Sequence, residues 1–188
     1  NNEIINIQKT NGIIVHDQSW FEDENNRNSI TAIADVDEAQ ETETNEDYIP
    51  ITQGNFKDIL SNPSGNYRLT GDIDFSRISN WENINFSGKL DGNGYAIKNF
   101  VISDTVNSNL HGLFYNISGT VKNLNLENVQ IDSTQNYIGA LCGGENYQTN
   151  GNIENCTVSG YINGGNYTGG LVGYINGGSI NNCSSATN

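Results

Sequence analysis

The 188-residue chain has no methionine, two prolines, two histidines and three cysteines, and only eight lysines and arginines against 22 aspartates and glutamates. Each scarcity excludes something. An odd number of cysteines cannot by itself close a disulfide framework, so the redox compartment is not decided by counting. A formal net charge of −14 repels the phosphate backbone that supplies most nucleic-acid affinity, and nucleic acid is therefore a poor partner. No apolar run approaches the ~18 residues of a membrane span, and neither end has the pattern of a signal peptide, so membrane insertion is not expected. The lack of any Met, a starter Met included, reads as a processed product or a fragment.

What the chain has instead is 33 asparagines and 21 glycines. This is a turn-forming polarity, unlike that of a Pro/Glu/Ser-rich disordered chain, and it predicts many short strands separated by turns. The charge is uneven: residues 1–50 hold 12 of the acidic and two of the basic side chains. Within them, the runs 4–7 and 13–15 are β-prone and flank Asn11-Gly12, a hairpin dipeptide. Residues 35–47 are almost devoid of apolar side chains and read as a solvated linker. The expected organisation is an acidic N-terminal extension over 1–50, with β-prone segments and linker, followed by one domain over 51–188.

Over 55–60, Phe56, Ile59 and Leu60 have the spacing of one helical face, and Ser61-Asn62-Pro63 is a stop, which predicts one short helix. Beyond it the chain repeats itself. Segments starting at Gly94, Gly119, Gly151 and Gly178 share glycine, an aliphatic residue, asparagine and an apolar residue. Superposed, they align Ile97, Val121, Ile153 and Ile180; then Asn99, Asn123, Asn155 and Asn182; then Phe100, Leu124, Cys156 and Cys183. A second frame, at 111–116, 139–144 and 169–174, precedes three of them. The period is about 24 to 32 residues, as expected when insertions fall in loops. Each copy has too little apolar surface to fold alone, and Asn, Gly and Thr at this density disfavour helix. Coiling the copies into a parallel solenoid stacks Ile on Val on Ile inside and Asn on Asn at the turns, with rungs ~4.8 Å apart. An antiparallel sandwich uses as many strands but does not require equal residues in a fixed register.

Gly169-Gly170-Leu171-Val172-Gly173, Gly139-Ala140-Leu141-Cys142-Gly143 and the Gly-x-Ile-x-Asn-Cys segments after them resemble GLUG-type repeats. Upstream, residues 67–75, Trp81 and residues 86–97 resemble the opening of β-helical regions in secreted bacterial surface proteins. These include adhesin-like proteins and the non-catalytic N-terminal part of IgA1-protease-type zinc metallopeptidases. The likeness covers about 51–188. It implies an all-β fold, a right-handed, pectate-lyase-like parallel β-helix, at the cell surface or outside a bacterium, with the helix at 55–60 plugging the N-terminal end. It does not imply catalysis, because such repeats serve as a shared scaffold.

The side chains able to do chemistry are few. His16 and His111 are the histidines, and no H-E-x-x-H is present, so peptidase chemistry does not reside here. Asp72 and Asp74, two apart on one strand, share a face as paired carboxylates do, although alternation with Ile73 and Phe75 explains them as solvent-facing. Asp91-Gly92-Asn93-Gly94 offers oxygens near a tight turn. Calcium there is a weak alternative to a turn that needs positive φ. Tyr137 and Tyr167 occupy equal repeat positions, and with Tyr147, Tyr161 and Tyr174 they could form an outer strip for stacking on sugars, or simply cover the solenoid's edge. Cys156 and Cys183 fall one rung apart, within disulfide range or as two reduced fillers. The sequons at Asn116 and Asn166 mean little in a bacterial host.

The chain stops at Asn188 directly after a repeat, without a polar cap. The expectation is that the natural protein continues or that another subunit covers this end, with residues 1–36 able to donate a strand to a neighbour. Taken together, the residues point to a non-catalytic extracellular scaffold or adhesin-like module that self-associates head to tail into a fibre and meets a host protein or glycan. The alternatives are the non-catalytic N-terminal region of a secreted zinc metallopeptidase and a glycan-binding module using Tyr137, Tyr167 and Tyr174.

Overall fold

The structure, a computed structural model, describes residues 9–10, 13–14, 47–145 and 149–188. The chain forms two compact units, Asn1–Asn45 and Glu46–Asn188. In the first, β1 (Lys9–Thr10) and β2 (Ile13–Ile14) pair antiparallel, Lys9 opposite Ile14 and Thr10 opposite Ile13. The β-prone run at 4–7, His16 and most of the acidic run lie outside the described residues.

The second unit begins with β3 (Ile49–Ile51), the helix α1 (Asp58–Ser61), β4 (Asn66–Leu69), β5 (Ile73–Asp74), β6 (Asn85–Phe86), β7 (Lys89–Asp91), β8 (Ala96–Lys98) and β9 (Val101–Ser103). It continues with β10 (Asn116–Ile117), β11 (Thr120–Lys122), β12 (Asn125–Asp132), β13 (Ile138–Gly139), β14 (Asn152–Glu154), β15 (Thr157–Asn163), β16 (Thr168–Gly169), β17 (Ser179–Asn181) and β18 (Ser184–Thr187). These strands coil into a parallel β-solenoid. One sheet runs β3-β4-β7-β11-β14-β17; a second runs β5-β8-β12-β15-β18, with β9 also on β12. β6 pairs with β10 and β13 with β16, all parallel, and single bridges join Phe114 to Cys142 and Cys142 to Val172. Those bridges lay the three copies of the second repeat frame side by side.

Register follows from the alternation of apolar and polar residues. In the first sheet the inward column is Ile49, Tyr67, Leu90, Val121, Ile153 and Ile180. Its four central members are at most 1% exposed, and Ile49 and Ile180 at its two ends are 43% and 42% exposed. In the second sheet, Ile73, Ile97, Leu126 and Val158 form the matching buried column. Val121, Ile153 and Ile180 are therefore neighbours as the repeats align them, and Ile97 is not: it stacks between Ile73 and Leu126 in the other sheet. The physical reason is that both sheets use the same local pattern of apolar residue, polar residue and turn asparagine, so a second-sheet strand superposes on a first-sheet one. The counterpart of Gly119, Gly151 and Gly178 is Gly88, not Gly94. A Cβ on Gly119 would lie 1.9 Å from the Gly88 carbonyl oxygen, and that oxygen accepts from the Thr120 amide at 2.9 Å, so the rungs approach too closely there for any side chain.

The asparagines split in the same way. Asn123, Asn155 and Asn182 all turn the chain at φ between 51° and 54°, a left-handed conformation that asparagine tolerates. The Asn155 amide donates to Asn123 Oδ1 at 3.1 Å, and Asn123 donates to Asp91 Oδ1 at 3.1 Å. Asn99 has the same conformation but stands in a separate ladder, donating to Asp74 at 3.0 Å and accepting from Asn128 at 2.7 Å. Phe100 likewise leaves its aligned column: its carbonyl accepts from Gln130, while Leu124, Cys156 and Cys183 follow one another across rungs.

The helix is shorter than its apolar spacing predicts, because the Asn55 side chain closes a turn ahead of it. Its Oδ1 accepts from the Thr52 amide at 2.7 Å, and its Nδ2 donates to the Pro50 carbonyl at 3.0 Å. Phe56 and Ile59 are nevertheless fully buried, and Phe56 stacks on Trp81 at 5.0 Å.

Candidate functional site

Three places on the solenoid combine exposure with unusual chemistry. At the first, Asn136-Tyr137-Ile138-Gly139 and Asn166-Tyr167-Thr168-Gly169 run parallel, Ile138 beside Thr168 and Gly139 beside Gly169. Tyr137 and Tyr167 are held at φ 59° and 60°, a conformation rare for a bulky side chain and costing about 1–3 kcal/mol each. Hydrogen bonds between the rungs hold it: Tyr137 N donates to Asn166 O at 2.8 Å and Asn166 N to Asn136 Oδ1 at 2.7 Å. The rings stack at 4.6 Å, and Tyr174 stands perpendicular to Tyr167 at 5.8 Å. The five-tyrosine strip thus contracts to Tyr137, Tyr167 and Tyr174. Tyr161 lies exposed in β15 of the second sheet, and Tyr147 is outside the described residues.

Beside this cluster, His111 Nδ1 lies 3.0 Å from Asn136 O, and its Nε2 is 3.8 Å from Glu145 Oε2. The Tyr115 hydroxyl donates to the same carboxylate. His111 is thereby held between two loops.

The second place is formed by Asp72, just before β5, and Asp74 at its end. Asp72 accepts from Lys98 Nζ at 2.7 Å and from the Ala96 amide at 2.9 Å, and these bonds, the Lys98 one foremost, hold its carboxyl below the usual carboxylate range. Asp74 is lowered by its bonds from Asn99 and Ser76. Both carboxyls are thus kept ionised, and acid–base work on a glycosidic bond needs one of the pair protonated.

The third is the outer face of the first sheet. Arg68, Asp91, Lys122 and Glu154 are successive cross-strand neighbours, so their charges alternate. Asp91 is 3% exposed; its Oδ2 takes the Arg68 guanidinium at 3.0 and 3.1 Å, and its Oδ1 takes the Asn93 amide and the Asn123 side chain. With a guanidinium and two amides on its oxygens, Asp91 does not fit the calcium seat that its loop suggests by sequence. Among the described residues, no three or more His, Cys, Asp or Glu side chains gather as a metal site. Beside this column lies a cleft of about 180 Å³ lined by Tyr48, Lys89, Leu90, Thr120, Lys122 and Glu154. Sequence reading missed it, because its residues come from three strands and the segment before β3. The available signal was the polar residue on either side of each inward one, readable only once the register is known.

The cysteines are free thiols. The Cys156 amide donates to Cys183 Sγ at 3.4 Å across one rung, and burial pushes the Cys156 thiol up to about 12 and the Cys142 thiol up to about 11.

A family model described as the M26 IgA1-specific metallo-endopeptidase N-terminal region matches residues 26–160. Among curated proteins, halomucin of Haloquadratum walsbyi (strain DSM 16790 / HBSQ001) is 36% identical over 141 residues, a match covering 65% of this chain and 2% of halomucin. The chain therefore spans a small fraction of that relative's length. No solved structure matches.

Proposed function

The chain belongs to the family of M26 IgA1-specific metallo-endopeptidase N-terminal regions, and we propose that it is a non-catalytic module of a bacterial surface or secreted protein, a stiff scaffold with an adhesin-like role. The observation that carries this reading is the family match over 26–160, from the N-terminal region of the peptidases. The continuous parallel stacking of two sheets supports it, since a rod of stacked rungs holds what is attached to it at a defined distance. Ionised, separately engaged Asp72 and Asp74 also favour a non-catalytic role. Among the described residues, no helix is long and apolar enough to cross a membrane. We take the frames at 139–143 and 169–173 as GLUG-type repeats within this reading.

The test is antibody labelling of intact cells, together with hydrolysis assays of the chain. Surface label without turnover of peptide or polysaccharide supports the proposal; label seen only after lysis, or turnover lost in Asp72→Asn, overturns it. Membership of a longer metallopeptidase is decided by whether the parent reading frame encodes H-E-x-x-H. Self-association into a fibre through residues 1–36 predicts concentration-dependent sedimentation that weakens on their deletion, and a monomer at high concentration refutes it.

A second reading, glycan binding at the tyrosines, is favoured by the stacked Tyr137 and Tyr167 with Tyr174 across them. It requires that a glycan captured on an array be lost in both Tyr137→Ala and Tyr167→Ala.

A further inference from the structure

Cys156 and Cys183 stand opposite each other on neighbouring rungs. Glu154 faces Asn181 on one side of the corner and Thr157 faces Ser184 on the other, so the two cysteines share one position in the turn between the sheets. At that register neighbouring backbones lie roughly 4.8 Å apart, inside the Cα separation of about 4.4–6.8 Å that a disulfide spans. The sulfurs have matching surroundings. Cys156 Sγ lies 3.2 Å from Glu154 O and 3.8 Å from Val121 O, and Cys183 Sγ lies 3.1 Å from Asn181 O and 3.7 Å from Ile153 O. Cys183 Sγ thus leans back over the Cys156 rung, where the Cys156 amide donates to it at 3.4 Å and the two thiols interact directly. Packing alone does not demand sulfur at this corner, since Leu124 fills it one rung earlier. Access differs between the two: Cys156 is 1% exposed, while Cys183 is half-buried and lines an open hollow of about 250 Å³ with Leu171, Val172 and Ile180. Cys142 stands apart, fully buried, with its Sγ on Tyr115 O and Thr149 Oγ1.

We propose that Cys156 and Cys183 are a redox pair that closes into a disulfide between these two rungs when the chain meets a small-molecule disulfide such as oxidised glutathione. The Cys183 sulfur, as thiolate, attacks one sulfur of the oxidant. The oxidant's S–S bond breaks, a mixed disulfide forms on Cys183, and one glutathione leaves as thiolate. Cys156 then turns about its Cα–Cβ bond, gives up its proton to solvent and attacks Cys183 Sγ, expelling the second glutathione. The two cysteines lose two electrons in all, the oxidant gains them, and the two protons end on the released glutathione thiols. Burial pushes the Cys156 thiol up to about 12, so its ionisation makes the second step the slow one. The bond adds a covalent tie to a junction otherwise held by apolar packing and by hydrogen bonds such as Ser184 N to Cys156 O at 3.0 Å. Oxidising surroundings outside a cell are those in which such bonds persist. The pairing itself rests on the register, and it stands whether or not the chain is a surface scaffold.

The experiment is incubation of the full chain, native and without denaturant, with oxidised glutathione, followed by alkylation of the remaining thiols, intact mass and chymotryptic peptide mapping. The expected product has lost two hydrogens, keeps one alkylatable thiol, at Cys142, and yields a cross-linked pair of peptides holding Cys156 and Cys183. The mixed disulfide on Cys183 is expected to precede it, and closure should run about tenfold faster per pH unit between about pH 7 and 9. Cys156→Ala should stop at the mixed disulfide, and Cys183→Ala should leave Cys156 unmodified. Amide exchange at Ser179 and Ser184, which donate across this junction, should slow about tenfold or more on closure and recover with a reducing agent. A parent chain that keeps three alkylatable thiols, stops at the mixed disulfide, links two molecules or closes only in denaturant overturns the proposal. The parent chain alone decides, so the variants are not required to fold.

Discussion

Up to Phe114 the interior of the solenoid mixes rings with aliphatic side chains; beyond it, the described interior is aliphatic side chains and thiols. Phe56, Tyr67, Phe75, Trp81, Phe86, Phe100 and Phe114 are all buried, and among the described residues the buried apolar ones after Phe114 include no aromatic. The rings meet in sequence: Phe56 on Trp81, Phe75 edge-on to Phe100 at 4.7 Å, Phe86 stacked on Phe114 at 4.7 Å. Rung length changes a little earlier, at Leu90. Partners in the first sheet are 18 and 23 residues apart from Ile49 to Leu90, then 31, 32 and 27 apart from Leu90 to Ile180. Rungs of unequal contour leave an irregular interior that large rings can fill, whereas rungs of nearly equal contour place like on like, so medium side chains suffice at native density. One hydrogen-bond register thus serves two ways of filling a core.

The sharpest way to break this comparison lies within one column. Ile153→Asp puts an unpaired charge between Val121 and Ile180 and is expected to destabilise by about 4 kcal/mol or more. Ile180→Asp, at the exposed end of that column, should shift the thermal midpoint little. Equal effects would refute the register. Next, Phe114→Ala should cost about 3–5 kcal/mol and Cys142→Ala, its bridged neighbour, about 1 kcal/mol, by denaturant melts. Third, Gly119→Ala forces rungs apart and should cost about 1–3 kcal/mol, while Gly71→Ala, with open space around its site, should be neutral. Fourth, Asn155→Ala loses both the ladder bond and the residue suited to its left-handed turn, about 1–2 kcal/mol, and Asn155→Gly restores the conformational part.

The smallest effect is in acid. Asp72, Asp74 and Asp104 are all held below their ordinary value of 3.8, the last chiefly by the Thr134 amide. Their contribution is present above that value and is lost as pH falls through the lowered ones. The melting temperature should therefore hold down to about pH 4 and decline below it, with a shallower decline in Asp74→Asn.

The later rungs were the legible ones. Val121, Ile153 and Ile180 could be aligned because those copies differ little in length, and glycine and asparagine recur where the backbone leaves no room for a Cβ or turns left-handed. The rung at 88–100 misled, because Asp91-Gly92 stands where Lys122-Asn123 and Glu154-Asn155 stand later. The visible asparagine was then Asn99, one corner further along. The tyrosine pair could be anticipated from equal repeat positions; that Tyr161 stands apart could not, since nothing local says which side of the rod a residue faces.

Sequence alone determined that this chain would coil, because short apolar faces repeated among turn-forming residues can be buried only against copies of themselves. Which strand lies on which was decided by the tertiary structure, and with it the alternation of Arg68, Asp91, Lys122 and Glu154 and the cleft beside them. Charges and cavities of that kind arise from contacts between residues tens of positions apart, and such contacts exist only after the rungs have stacked.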